Sequence, residues 1–228
     1  MRTLCIDVGG SGIKAIVVDA DGGALTERAR IDTPQPATPE AVLEVIAELG
    51  RGQGELDRVS VGFPGVVIDG VTRTAPNLDP SWAGFALGRA LEERFQKPVR
   101  VANDAGVQGL GVIEGRGTEV VITLGTGMGF GLYVDGRYVP NIELAHHPFE
   151  KKKTYEQRVG NVARKKVGNK RWNRRVRQVL ETLGPIFNYR RVYLGGGNAR
   201  HLVKEGLPDD ATVIDNIAGL LGGVRLWG

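Results

Sequence analysis

Cysteine is nearly missing from this chain: Cys5 is the only one in 228 residues. That excludes an internal disulfide and any zinc cage built from cysteines. Its place in an apolar strand predicts a packed thiol in a reducing compartment. Long hydrophobic runs are also missing. The longest apolar stretch, Val120 to Val134, is interrupted by four glycines and falls short of the roughly 20 residues that a membrane-spanning helix needs. No charged start followed by an apolar core opens the chain, so no secretory leader, no membrane partner and a cytoplasmic location are expected. Two familiar phosphate motifs are absent as well. No Gly-Lys-Ser/Thr follows a glycine loop, and no Gly-x-Gly-x-x-Gly joins a strand to a helix, which argues against a P-loop or a dinucleotide-binding domain.

What is present is a repeat. Leu4 to Val8, then Gly9-Gly10-Ser11-Gly12, then Ile13 to Val18 has the same layout as Val120 to Leu124, then Gly125-Thr126-Gly127-Met128-Gly129, then Phe130 to Val134. Each reads as strand, glycine-rich turn and antiparallel return strand, closed by Asp21-Gly22 in one case and Asp135-Gly136 in the other. Glycine and small hydroxyl residues at a turn leave backbone N–H groups open to an anion. Two such turns can grip one polyphosphate from both sides. The repeat predicts an α/β chain of two domains, 1–107 and 108–228, with a last helix over about 216–226 packing back on the first.

Charge is unevenly distributed. From Lys151 to Arg177 there are twelve Lys or Arg and one acid, Glu156, whereas the whole chain carries only +4. The remainder is therefore acidic. A block of like charge repels itself and persists to meet a polyanion, or is a solvated face. RNA is a weaker candidate, because Tyr155 and Trp172 are the only aromatics in the strip and both fall on apolar faces.

Thr38-Pro39-Glu40 predicts a helix start, with Val42, Val45, Ile46 and Leu49 on its apolar face and Gly50 as its stop. A strand over Arg58 to Phe63, a hairpin about Asp69-Gly70, a loop from Ala75 to Trp82 and a helix through Leu87, Leu91 and Phe95 follow. The strand Val99 to Ala102 leads to Asn103-Asp104 and a helix of small residues. In the second half Tyr155, Val159 and Val162 predict one helical face, and Trp172, Val176, Val179 and Leu183 another, with Gly168-Asn169 between them. Cations at Arg164, Arg171 and Arg175, and at Lys170, Arg174 and Arg177, are expected together on the exposed side. Gly195-Gly196-Gly197 lies between a strand and a helix from Asn198 to Lys204. A strand near Ala211 to Ile214 and the final helix complete the pattern.

Several side chains can carry chemistry. Asp7 ends the first strand and can hold a hydrated Mg²⁺ beside phosphate, or cap the turn. Lys14 either reaches the phosphate or faces solvent. Asp104, beside Asn103 at a strand-to-helix junction, is the general-base candidate, and helix capping is its rival role. Glu143 and His146 can bind the hydroxyls of a polyol or simply be solvated. His147 is read as structural. Asn77 offers a donor and an acceptor suited to a sugar, in a loop where asparagine also serves turns. Taken together they point to phosphoryl transfer.

On these motifs the chain resembles the ROK family of sugar kinases. Asp7 to Lys14 is similar to the first phosphate motif, Gly125 to Gly129 to the second, Gly195-Gly196-Gly197-Asn198 to the segment near the nucleotide's adenosine, and Asn103-Asp104-Ala105 to the catalytic Asn-Asp-Ala. The resemblance implies the actin-like ATPase fold, two ribonuclease-H-like domains with a cleft between them. It implies Asp104 as base, and Asn77, Asn103, Glu143 and His146 as sugar contacts. The phosphate contacts it implies come from Gly9, Gly10, Ser11, Gly12, Lys14, Gly125, Thr126 and Gly127. The usual Cys-x-Cys-Gly zinc segment is replaced by Phe149 to Glu156, so zinc is not expected and Mg²⁺ is. That replacement, with Ala145 to Phe149 before it and the basic helices after it, resembles the polyphosphate glucokinase branch. Lys151, Lys152, Lys153, Arg164, Lys165, Lys170, Arg171 and Arg174 would then form a track for inorganic polyphosphate. ATP stays open as donor through Gly195 to Asn198, and mannose or glucosamine as acceptor beside glucose. A homodimer is implied. The repressors of this family carry a DNA-binding domain in front, for which a strand starting at Leu4 leaves no room, so nucleic acid is not an expected partner.

Overall fold

The computed structural model describes residues 1–76, 78–214 and 221–228. Asn77 and the predicted helical residues 216–220 lie outside them. The chain divides into two compact units, Met1–Gly111 with Ile217–Gly228, and Val112–Asn216.

In the first unit β1 (Thr3–Val8) and β2 (Ile13–Val18) form the first glycine hairpin, and β3 (Ala29–Ile31) extends it. Strands β4 (Arg58–Phe63) and β7 (Val99–Asn103) add in parallel on the other side, giving the order β3-β2-β1-β4-β7. A separate small hairpin pairs β5 (Val67–Ile68) with β6 (Val71–Thr72) about Asp69-Gly70. In the second unit β8 (Thr118–Leu124), β9 (Met128–Val134) and β10 (Arg137–Val139) repeat the antiparallel trio, and β13 (Arg191–Gly195) and β14 (Ala211–Val213) the parallel pair, in the order β10-β9-β8-β13-β14. Numbered within each unit, both sheets read 3-2-1-4-5. The repeat seen in the sequence is thus a duplication of a whole sheet topology.

Helix α1 (Pro39–Arg51) starts where predicted, with Thr38 Oγ1 accepting the Ala41 N–H, but it runs through Gly50 and ends at Gly52. Gly50 is instead a packing glycine, since a Cβ there would strike the Phe95 ring. Helix α2 (Leu87–Phe95) buries Leu87 and Leu91, and α3 (Asp104–Leu110) follows β7 without a break. Trp82 is fully buried, gives its indole N–H to Ala37 O at 2.8 Å and packs on Phe63 at 4.8 Å between ring centroids, anchoring one end of the loop from Ala75. The core of this unit gathers Leu4, Ile6, Val42, Ile46, Val61 and Leu91.

In the second unit a short hairpin of β11 (Pro148–Glu150) and β12 (Lys153–Thr154) precedes α4 (Tyr155–Val159). Helix α5 (Asn161–Phe187) is two helices meeting at Gly168, whose φ of 74° and ψ of 160° only glycine adopts readily. Trp172, Val176, Val179 and Leu183 are buried as predicted. Val162 is not: it is exposed, because Gly160 ends α4 and resets the helical phase before Asn161. After β13 the expected helix from Asn198 shrinks to one 3-10 turn, Ala199–His201, and the described C-terminal residues form another, Gly222–Trp227. No helix among the described residues is long and apolar enough to cross a membrane.

One buried acid explains how the second sheet begins. Glu119 is fully buried, yet its carboxylate accepts the N–H groups of Glu114, Gly115 and Arg116 and the Tyr193 hydroxyl, all between 2.7 and 3.1 Å. Charge-assisted bonds of this kind are what allow a carboxylate to leave water.

Candidate active site

The first glycine turn is closed by Gly9 N–H donating to Gly12 O at 3.1 Å and pinned from outside by Thr33 Oγ1 to Gly9 O at 2.5 Å. The N–H groups of Gly10, Ser11 and Gly12 have no partner among the described residues, and Gly10 and Ser11 are exposed. That is an anion nest in waiting. Lys14 is paired: opposite Asp7 in the ladder, its Nζ lies 2.8 Å from Asp7 Oδ2. The sequence reading missed a second cation here. Arg30 stands opposite Lys14 on β3, donates to Ser11 O at 3.0 Å and pairs with Asp32 at 2.7 Å. Only the register of β3, which a three-residue strand does not announce, could have revealed it.

Asp7 keeps Oδ1 without a partner among the described residues. A Mg²⁺ ion that retains most of its waters and takes the rest of its ligands from phosphate needs one or two such carboxylates. Asp7 therefore fits the ion. No group of three or more His, Cys, Asp and Glu placed to hold a metal by themselves stands among the described residues.

Asp104 opens α3, and Asn103 caps it. Asn103 Oδ1 accepts from Ala105 N at 3.0 Å and Gly106 N at 3.2 Å, while its Nδ2 donates to Gly65 O at 3.2 Å. The capping role is thus realised by Asn103, at both ends of its amide, and this fixes the helix start to the turn after β4. Asp104 Oδ1 accepts from Ala105 N at 2.7 Å. Asp7 and Asp104 both line a small cavity of about 10 Å³ with Ser60, Gly62 and Gln108, room for roughly one water. The first unit therefore brings together its metal and base candidates. Asn77 lies outside the described residues.

The second turn is built alike, with Gly125 N–H donating to Gly127 O at 3.0 Å and the N–H groups of Thr126 and Gly127 without partners among the described residues. Its back is braced by the third glycine segment. Asn198 is buried; its backbone N–H donates to Leu124 O and its Nδ2 to Gly125 O, both at 2.8 Å. Gly196, at φ 85°, packs against the Leu124 backbone where a Cβ has no room. Gly195 to Asn198 thus has a structural task that involves no nucleotide.

Glu143 and His146 flank one 3-10 turn, Leu144–His146, with Oε2 and Nε2 3.7 Å apart. Burial pushes the Glu143 carboxyl up; His146 opposes this, and the nearby Glu156 adds to it. His147 sits at the end of the same turn, its Nδ1 2.9 Å from Pro148 O. Glu156 was passed over in the sequence as the odd acid among cations. Its Oε2 accepts the Met128 N–H at 3.4 Å and packs against Gly127, so it stands between the second turn and Glu143. Its isolation in a run of twelve cations was the available signal.

The basic strip divides into three parts. Lys151 and Lys152 form the tip of the β11–β12 hairpin, both at positive φ, 53° and 59°, with Lys153 next to them, and all three are exposed. Arg164 and Lys165 stand before Gly168, and Lys170, Arg171 and Arg174 after it. Not every cation is on the outer side. Arg158 is largely buried against Glu150, and Arg175 is half-buried, donates to Arg158 O at 3.3 Å and is pushed down by burial and then by Arg158, Arg171 and Arg174. The kink at Gly168 breaks the single helical spacing on which the expected grouping of Arg164 with Arg171 and Arg175 relied; Lys170, Arg174 and Arg177 all lie after it.

The chain matches the ROK family over residues 3–140. It is 35% identical over 238 aligned residues to a polyphosphate glucokinase of Mycobacterium leprae, covering 97% of this chain and 73% of that protein. A solved inorganic polyphosphate/ATP-glucomannokinase from Arthrobacter sp. strain KM superposes with a TM-score of 0.88 at 31% identity, over 100% of this chain and 99% of that one. A glucokinase from Streptomyces griseus, solved with glucose and AMPPNP, superposes with a TM-score of 0.82 over 99% of both chains; at 22% identity that likeness speaks for the fold.

Proposed function

The chain belongs to the ROK family, and from that premise we propose that it moves the terminal phosphoryl group of inorganic polyphosphate to the 6-hydroxyl of glucose. Its fold is the actin-like ATPase fold, built from two ribonuclease-H-like sheets. The observation that carries the reading is the duplicated turn: two glycine hairpins, each closed by a backbone bond from its first glycine and each leaving a row of backbone N–H groups unsatisfied among the described residues. Phosphoryl transfer is largely positioning and charge stabilisation, and such turns supply both.

In this reading Asp104 accepts the proton of the sugar hydroxyl, and Asn103 caps the helix that Asp104 opens. Asn77 belongs to the same sugar site. Asp7 holds Mg²⁺, which neutralises charge on the transferred phosphoryl group. Lys14 keeps Asp7 in place. Glu143 and His146 serve the sugar hydroxyls, and Thr126 with Gly127 the phosphates.

Three observations support polyphosphate over ATP as the main donor. Lys151 and Lys152 hold a strained backbone at an exposed hairpin tip, cations continue on both sides of Gly168, and Gly195 to Asn198 is accounted for as the brace of the second turn. ATP as sole or second donor is the alternative, and the Arthrobacter protein, by its name, uses both. The reading also carries a homodimer, which sedimentation tests.

The deciding experiment follows glucose 6-phosphate formation by purified protein with Mg²⁺, comparing nucleotide-free long-chain polyphosphate with ATP. Turnover with polyphosphate and little with ATP is the expected result. Turnover with ATP alone would overturn the donor assignment while leaving the kinase, and no turnover with either would remove glucose as acceptor.

A further inference from the structure

Arg164 has no counter-ion among the described residues: no carboxylate there pairs with it or with Arg200. Its guanidinium is held instead by two neutral oxygens, Asn161 Oδ1 at 3.1 Å and Asn169 Oδ1 at 3.0 Å, and its Nε is buried with no hydrogen-bond partner among the described residues. Neutral acceptors fix the direction of the group and leave its charge intact. His201 joins the cluster through Arg200, whose Nε lies 3.3 Å from His201 Nε2. Desolvation, then Arg164 and Arg200, push the His201 imidazole down, so the local field is positive.

The cluster is built in advance and tied to the second glycine turn. Asn161 N–H donates to Gly125 O at 3.1 Å and Thr126 O at 3.2 Å, and Arg164 stands one helical turn further on. From the other side, Asn198 holds Gly125 O, and His201 N–H donates to Asn198 O at 3.0 Å. Asn173, itself buried, joins the two sides: its Nδ2 donates to Asn169 O and to His201 O, both at 2.9 Å, and its Oδ1 accepts from Val203 N at 2.8 Å. A partly exposed positive cluster of this kind, with spare N–H donors and no paired carboxylate among the described residues, is a place for phosphate oxygens.

We propose that Arg164, Arg200 and His201 form a subsite for the internal phosphates of the donor, immediately beyond the second glycine turn, and that the occupant is the chain of a linear polyphosphate. This rests on the phosphoryl-transfer reading above and specifies where the donor's tail leaves the second turn. Neither Arg200 nor His201 belongs to the Lys151 to Arg177 strip, so the track turns towards the glycine segment after β13 rather than following the basic helices alone. The shared chemistry is a run of anionic phosphate oxygens, which a nucleoside triphosphate also offers over a shorter length.

The test uses Arg200→Ala combined with His201→Gln, both at accessible side chains, with Arg164→Lys as a second variant that keeps charge but loses the forked contacts. Loss of two charge-assisted bonds corresponds to at least about tenfold in affinity. The expected result is a KM for long-chain polyphosphate at least about tenfold higher, with kcat, the KM for glucose and the melting temperature unchanged, and a much smaller effect with tripolyphosphate. An unchanged KM for long chains overturns the proposal, and so does a loss confined to ATP, which would give the site to the nucleotide's phosphates. Should the wild-type protein not turn over polyphosphate, the proposed function falls but the subsite is still judged. Calorimetric titration with long-chain polyphosphate then supports it if the double variant binds at least about tenfold more weakly, and overturns it if both bind alike.

Discussion

Asn198 gives its side-chain amide to the carbonyl of Gly125 at 2.8 Å, and by that bond a glycine segment 73 residues away becomes the back of the second phosphate turn. Replacing Asn198 by Leu removes that bond and leaves the partly buried Gly125 carbonyl with the Asn161 N–H alone, which costs about 1 kcal/mol. The expected outcome is a lower melting temperature together with a rise in donor KM, while the KM for glucose stays near its wild-type value. An unchanged donor KM in a folded variant would separate the brace from the turn's function.

Asp104 is the second case. Asn in its place keeps an oxygen to accept the Ala105 N–H, so α3 and its Asn103 cap persist. General-base help is worth about 10²- to 10⁴-fold, and kcat should fall by that factor with a wild-type circular dichroism spectrum and melting temperature. Near-full activity would assign the base elsewhere.

Glu143 links pH to stability. Burial raises its folded pKa above the ordinary carboxyl value of 4.5. The folded state then holds the proton more tightly than the unfolded state does, so the ionised form is a penalty. That penalty is fully present above the raised pKa and vanishes below 4.5, where the carboxyl is protonated in both states. Glu143→Gln should therefore melt higher than the wild type at pH 7, the gain shrinking as the pH is lowered towards 4.5, and it should bind glucose more weakly. A gain that grows on acidification would refute the assignment.

Much of this was legible in the sequence because it is local. The two glycine hairpins, the strand at Arg58 to Phe63, the Thr38 cap and the buried face from Trp172 to Leu183 are each written in a few neighbouring residues. What escaped depends on partners distant in sequence. The place of Arg30 beside Lys14 is fixed by a strand pairing, and Glu156 meets Met128 across 28 residues. Gly50 read as a stop and is a contact for Phe95, since glycine serves both tasks with the same letter. Val162 fell on the predicted face only as long as one helix was assumed, and Gly160 makes it two. The strand-to-helix reading at Asn103-Asp104 held, but the structure gives the cap to Asn103 and leaves the base role to be tested at Asp104.

Lys151 and Lys152 offer a prediction in which stability and function move oppositely. They fill the two central positions of a tight hairpin turn between Glu150 and Lys153, where both residues need positive φ. Asn-Gly is the pair suited to such a turn, and a non-glycine residue in this region costs about 1–3 kcal/mol. Two exposed lysines therefore hold these places against the backbone's preference. The double substitution Lys151→Asn with Lys152→Gly should raise the melting temperature and leave the KM for glucose and the use of tripolyphosphate unaltered. If the pair grips a long donor, the KM for long-chain polyphosphate should rise and its dependence on salt should flatten, because each lost phosphate contact lowers the slope of log K against log salt by about one. A stabilised variant with an unchanged KM and an unchanged salt slope would remove the hairpin from the donor track and leave the cations of α5 to carry it.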